Sequence, residues 1–197
     1  MDENMKKRNE RLAQTVIKGL QSRNMTGYYA EDKEAALKQA LELIEENSTI
    51  SMGGCMSAHE IGLVQALQEG NYQYLDRSKM ESREGLLAAY DSDVFLSSAN
   101  AMTSDGILVN IDGNSNRVSC IAQGPKKVIF IVGMNKVCDD LDSAMKRARN
   151  VAAPINAQRF EVKTPCKETG KCFDCKSPDT ICCQFLITRY SRHTGRI

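Results

Sequence analysis

The chain has no excess of charge of either sign: 26 Lys and Arg stand against 25 Asp and Glu. That excludes the broad positive field of a dedicated nucleic-acid binder. Long apolar runs are also missing, and nothing approaches the roughly 20 residues of a membrane helix. The opening Met-Asp-Glu-Asn-Met-Lys-Lys-Arg carries basic residues with no apolar stretch behind them, so it does not read as a secretory leader. Nucleotide fingerprints are absent too, since the Gly53-Gly54 turn has neither the Lys of a Walker loop nor the three-glycine dinucleotide spacing. The expectation is a cytoplasmic protein without nucleic-acid or membrane partners. With 197 residues it can bury roughly 70% of its unfolded surface around one core.

Apolar periodicity supplies the elements. Leu12, Val16, Ile17 and Leu20 share one helical face over 9–20, and Ala36, Leu37, Ala40, Leu41 and Ile44 share another over 32–46. A strand over 48–52 then meets Gly53-Gly54-Cys55-Met56. Ser57 and Glu60 have the spacing of a capping box opening a helix to about Gln68. Strand, Gly pair and helix start together form a candidate phosphate or carboxylate site; the competing reading is that the glycines merely turn the chain. Cys55 and His59 form either a nucleophile–base pair or a packed thiol and an unrelated polar residue. A short strand follows at 72–75, and Ser78 with Glu81 suggests a second capping box opening a helix through Tyr90. Val94-Phe95-Leu96 reads as a buried strand, Arg117–Gln123 as helix or strand, and Val128–Val132 as a central parallel strand. A helix over 139–150 has acids at its start and bases at its end, complementing the dipole.

Alternating strands and helices predict an α/β fold with a mainly parallel sheet flanked by helices. Residues 1–47 are expected to be helices packed on a core at 48–163, with 164–197 a Cys-rich segment and terminal strand of the same domain. Ligands of such sheets bind beyond the carboxyl ends of the strands, where the loops 53–57, 97–100 and 133–135 should face one crevice. Into that crevice runs Ser97–Arg117, which holds Asn100, Asn110, Asn114, Asn116, Asp105 and Asp112 around Ile107-Leu108-Val109. Its Asp-Gly pairs predict a hairpin of strands near 99–103 and 107–111. The amides and carboxylates at its ends suit a polar ligand; the same residues are also ordinary turn formers.

From Thr164 the composition changes, giving Cys166-x5-Cys172-x2-Cys175-x6-Cys182-Cys183. Thiolates so spaced, with Gly170 and Pro178 turning the chain, can converge on Zn²⁺ or an iron–sulfur cluster, each of which takes four Cys. A single Cys-x2-Cys pair does not match a zinc ribbon. Redox-labile or reduced structural cysteines are the alternatives, and Phe185–Thr188 reads as a strand closing the segment.

The run Ala99-Asn100-Ala101-Met102-Thr103-x-Asp105-Gly106-x-Leu108-Val109-Asn110-Ile111-Asp112-Gly113-x-x-Asn116-Arg117, with Gly124-Pro125-x-Lys127-Val128 and Val132-Gly133-x-Asn135-Lys136, resembles the LUD domain of lactate-utilisation proteins. Ala152-Ala153-Pro154-x-Asn156 and the Pro165–Cys182 segment resemble a cysteine-rich branch of that family. The resemblance implies a fold like that of ribose-5-phosphate isomerase, CoA transferases and formyltetrahydrofolate cyclo-ligase. It also implies lactate oxidation alongside separate iron–sulfur and redox proteins. Thr103-Ser104-Asp105-Gly106 resembles the acidic turn near the isomerase active site. Two departures stand out: the best-studied members lack the cysteine tail, and related sequences continue past Ile197 into another strand, so the sheet is expected to lack a terminal strand.

Three functions follow as expectations. In the first, Gly53, Gly54 and Ser57 bind a small anionic metabolite, oriented by Asn100, Asp105, Asn110, Asp112, Asn116 and Arg117, and a redox protein is the partner. In the second, an isomerase or acyl transferase acts on a phosphorylated or CoA-linked substrate, with Asp105 or Asp112 as base or nucleophile. In the third, Cys166, Cys172, Cys175 and Cys182 hold zinc or an iron–sulfur cluster for electron transfer.

Overall fold

The apolar stretches at 49–52, 94–97 and 127–130 are too short to be helices, and they assemble as parallel strands. The computed structural model describes residues 2–197. It opens with helix α1 (Glu3–Ser22) and helix α2 (Lys33–Glu42), whose N-cap Asp32 accepts the Ala35 N–H. Strand β1 (Thr49–Met52) leads to helices α3 (Met56–Glu60) and α4 (Leu63–Glu69), then to β2 (Gln73–Tyr74), helix α5 (Ser82–Tyr90) and β3 (Val94–Ser97). Next come β4 (Ala101–Thr103), β5 (Leu108–Asp112), helix α6 (Asn116–Ala122), β6 (Lys127–Phe130) and β7 (Val137–Cys138). Helix α7 (Leu141–Arg147) passes through a π-helical turn at Ala148–Ala152 into α8 (Ala153–Ala157), followed by α9 (Pro165–Thr169) and β8 (Gln184–Thr188).

One sheet has the order β2-β1-β3-β6 and is parallel throughout. Both its faces are covered, which explains why its strands read as continuous apolar runs. Ile50, Val94, Leu96 and Ile129 pack against Ala40 of α2 and Leu63, Val64 and Leu67 of α4. Phe95 and Val128, pointing the other way, meet Ala89 of α5 and Cys120 and Ile121 of α6. A second, mixed sheet has the order β7-β4-β5-β8. Its Ala101, Val109 and Ile111 pack on Ala144, Ala148 and Ala153, while Met102 and Leu108 face Val16 of α1 and Met25.

The hairpin of β4 and β5 forms as its Asp-Gly turn predicts, with Gly106 at φ +90° and the Gly106 N–H donating to the Thr103 carbonyl at 3.0 Å. Several expectations change. The strand over 127–130 lies at an edge of its sheet: a β-branched run signals two covered faces, which this strand has, and says nothing of its place in the order. Its outward Val128 N–H is taken up by the Arg196 carbonyl at 2.7 Å. Cys55, not Ser57, is the N-cap of α3 and makes no side-chain capping bond, and Gly62 at φ +78° splits the expected helix into α3 and α4. Around Ser78 the Asp76 carboxylate caps a short 3₁₀ turn instead, and α5 starts later, at Ser82. The π turn before α8 has its own cause. Pro154 lacks an N–H and crowds the carbonyl four residues back, and the wider turn accommodates it.

Candidate functional site

β1 and β3 run side by side, and beyond their carboxyl ends the chain turns at Gly53, whose N–H donates to the Leu96 carbonyl at 3.1 Å. Arg117 covers this glycine: a Cβ at position 53 would lie 2.8 Å from Arg117 Cγ and 3.1 Å from the Phe95 ring. Arg117 sits in the first turn of α6 with its side chain only 15% exposed. Its Nη2 donates to Asn100 Oδ1 at 3.0 Å and to the Ile111 carbonyl, and its Nε lies 3.8 Å from Asp112. Burial lowers its pKa, against the pull of Asp112 and Cys55. A second cation, Lys136, arrives from the turn after β6, where Nζ donates to Ser98 Oγ at 2.8 Å. Burial also lowers the Lys136 pKa, and among the described residues no carboxylate is ion-paired with it. Cys55, at the turn after Gly54, is 1% exposed. Burial raises its thiol pKa, opposed by the Ala58 and Ser57 N–H groups and by Lys136 and Arg117.

The hairpin and the start of α6 contribute three amides and a carboxylate. Asn100 Oδ1 accepts the Ile111 N–H at 2.9 Å as well as Arg117, which fixes both. Asn110 is fully buried; its Nδ2 donates to the Ser98 carbonyl at 2.8 Å, and its Oδ1 has no partner among the described residues. Asp112 accepts from the N–H groups of Asn114, Arg117 and Val118 at 2.9, 3.0 and 3.2 Å, so it organises the start of α6 while pairing with Arg117. Asn116 Oδ1 accepts the Arg117 N–H at 3.0 Å. Gly54 is exposed beside this group and Ser57 half-buried.

Asp105 is placed elsewhere, on the hairpin turn at the other end of β5. There it takes the Thr103 hydroxyl and pairs with Arg23, whose Nε also reaches the Asp105 carbonyl at 2.7 Å. The Thr103 hydrogen bond, then Arg23, holds its carboxyl below the usual range. His59 is exposed while Cys55 is buried, and no hydrogen bond joins them among the described residues. Lys136 and Arg147, whose guanidinium donates to the Asn100 carbonyl and to the Asn135 carbonyl at 3.1 Å, were not singled out from the sequence. For Lys136 a signal existed, as the first cation of the loop after a strand.

The cysteine segment builds a second constellation. All eight cysteines are free, and Cys166, Cys172, Cys175 and Cys182 line one cavity of about 50 Å³. Asp174 holds a left-handed backbone, φ +54°, between Cys172 and Cys175, and its N–H donates to Cys172 Sγ at 3.5 Å. Burial and the neighbouring Cys166, Cys172, Cys175 and Cys183 push the Cys182 thiol up to about 11. Among the described residues no three His, Cys, Asp or Glu side chains are gathered closely enough to hold a single ion.

These features define an α/β protein with a parallel sheet flanked by helices and two cations, Arg117 and Lys136, near the carboxyl ends of its strands. The chain belongs to the family described as the LUD domain, whose profile matches residues 13–197. A solved structure of a DUF162 family protein from Deinococcus radiodurans is similar at 10% identity and a TM-score of 0.32, over 79% of this chain and 87% of that one. No curated protein matches the sequence.

Proposed function

We propose that the protein binds a small carboxylate- or phosphate-bearing metabolite in the crevice beyond β1 and β3, and that it serves lactate, other organic-acid or redox metabolism. The observation that carries this is two cations brought from separate elements to the carboxyl ends of the strands: the buried Arg117, packed on Gly53, and the half-buried Lys136, bonded to Ser98. Burying a cation costs free energy unless an anion or hydrogen-bond acceptor compensates it. Arg117 has Asp112, whereas Lys136 bonds a serine hydroxyl and is ion-paired with no carboxylate among the described residues. An anion beside Lys136 would supply the missing charge, and the exposed Gly54 leaves room at the turn.

The test is a calorimetric and thermal-shift panel of lactate, pyruvate, sugar phosphates and acyl-CoAs. At least one anion should raise Tm as its concentration rises. Lys136→Gln should weaken that ligand by about tenfold or more, the value of a charge-assisted hydrogen bond, with the fold unchanged by circular dichroism. Silence across the panel in the unmodified protein would remove the proposal.

A further inference from the structure

The cysteine segment gathers thiols that the proposed metabolite site does not use. Its four inner thiols come from separate places: Cys166 from α9, Cys172 and Cys175 from the irregular chain after Gly170, and Cys182 from the approach to β8. Yet all four face the same cavity. The left-handed backbone at Asp174 reverses the chain so that Cys172 and Cys175 both face inward. Such a conformation is uncommon outside glycine and marks a constrained turn.

The surroundings are those of a sulfur-ligated anionic group. The Asp174 N–H points at Cys172 Sγ at 3.5 Å, the Thr164 hydroxyl lies 3.4 Å from Cys166 Sγ, and Arg149 Nη2, paired with the Asp174 carboxylate at 2.6 Å, stands 4.0 Å from Cys172 Sγ. Arg149 comes from the π turn of the α7–α8 helix, an irregularity often found at functional sites. Hydrogen bonds to sulfur and a nearby cation are the means by which proteins stabilise and tune iron–sulfur centres. Spacing separates the two metal readings. One Zn²⁺ draws four sulfurs to about 2.3 Å from a single point. Here no three of the thiols, among the described residues, are gathered closely enough to hold a single ion, whereas a cluster bonds each thiol to a different iron.

We infer that Cys166, Cys172, Cys175 and Cys182 are the ligands of a four-iron, four-sulfide cluster seated between the π turn and the last strand. Assembly is ligand exchange without net electron transfer. Two ferrous ions, two ferric ions and four sulfides make a core of charge 2+, and four thiols release four protons to solvent as four iron–thiolate bonds form. The resulting net charge of 2− sits beside Arg149. The cluster would also lie close to the crevice. The Cys183 N–H donates to the Asp112 carbonyl at 2.9 Å, and the Asp112 carboxylate pairs with Arg117. The cluster assignment does not rest on metabolite binding.

The full chain, reconstituted under argon with ferrous iron, ferric iron and sulfide, should turn brown. It should carry about four iron and four sulfide per chain and give a paramagnetic signal on one-electron reduction with dithionite. Cys172→Ser and Cys182→Ser should each lose most of the iron, while Cys183→Ser, altering an exposed neighbour, should keep it. If a variant fails to fold, alkylation mapping of the reconstituted unmodified protein decides: the four ligands should be protected and Cys183 labelled. A colourless protein with the four thiols unprotected overturns the inference. So does full iron retention in the folded Cys172→Ser and Cys182→Ser variants. Tight binding of one Zn²⁺ per chain that protects the same thiols and blocks iron uptake also overturns it. Lys136→Gln should leave cluster loading unchanged, so failure of the crevice proposal and failure of this one are separable.

Discussion

Cys55 looks like a nucleophile by position, since it caps a helix start and has two cations nearby. Burial outweighs them, and the net effect raises its pKa, so near neutral pH it is a neutral thiol with 1% exposure. Thiolate is the reactive form. The native protein treated with iodoacetamide at pH 7.5 should therefore be labelled at the exposed Cys183 well before Cys55. Cys55 labelling should rise only at alkaline pH or on denaturation, as read by peptide mass spectrometry. Equal labelling of the two at pH 7.5 would contradict the burial argument. The same residue scale shows what was legible. Gly53 and Asn100 follow from loops placed after strands, and the structure brings both to Arg117. Lys136 was harder to read because its role depends on the turn after β6 lying across from Ser98, a relation that no local pattern encodes. Asp105 and Asp112 carry the same Asp-Gly signal, yet one fastens the hairpin to Arg23 and the other organises α6 beside Arg117. Turn chemistry identifies the turn and leaves open what its carboxylate touches.

At the scale of elements, α1 shows where periodicity stops being informative. Its apolar stripe correctly predicts a docked helix with Val16 buried. The closest contact, however, is backbone on backbone: a Cβ at Gly19 would lie 2.4 Å from the Asp105 carbonyl carbon, and one at Gly106 would lie 2.6 Å from the Leu20 nitrogen. Two glycines pressed together leave no hydrophobic signal, so the docking of α1 on the hairpin turn could not be read. Gly19→Ala carries no conformational penalty within a helix and raises intrinsic helix propensity, so an isolated-helix view predicts mild stabilisation. The packing view predicts the reverse, because backbone atoms cannot swing away as a flexible side chain can. The variant should lose about 1–3 kcal/mol in chemical denaturation, the usual cost of overpacking. Amide exchange should quicken over 3–22 and 103–107. Unchanged stability would mean that α1 is not seated as described.

For the molecule as a whole, the α/β class was legible because buried parallel strands alternate with amphipathic helices. The division into two sheets was not. β5 pairs with β8 in register from Leu108 with Thr188 to Asp112 with Gln184, a long-range match between segments whose sequences say only that each is a strand. The two sheets are tied together by residues that serve both cores: Phe130 and Ile197 pack against the cluster around Met102 and Leu108 and also against the one around Phe95 and Val128. Arg196 holds Ile197 in place. Its backbone carbonyl accepts the Val128 N–H, and its guanidinium donates to the carbonyls of Ile121, Cys120 and Pro125 at 2.8, 3.0 and 3.2 Å. Two of these carbonyls belong to the last turn of α6, which has no helical partners for them. Arg196→Ala removes all three donors at once and should cost about 2–3 kcal/mol. For a chain of this size that is a fall in Tm of about 4–12 °C. Arg196→Lys should recover less than half, because an ammonium on a single carbon stem cannot present the planar fork that spans three carbonyls. Differential scanning calorimetry of the two variants checks this. A lysine variant as stable as the parent would show that charge at the end of α6, and not the geometry of the fork, joins the sheets.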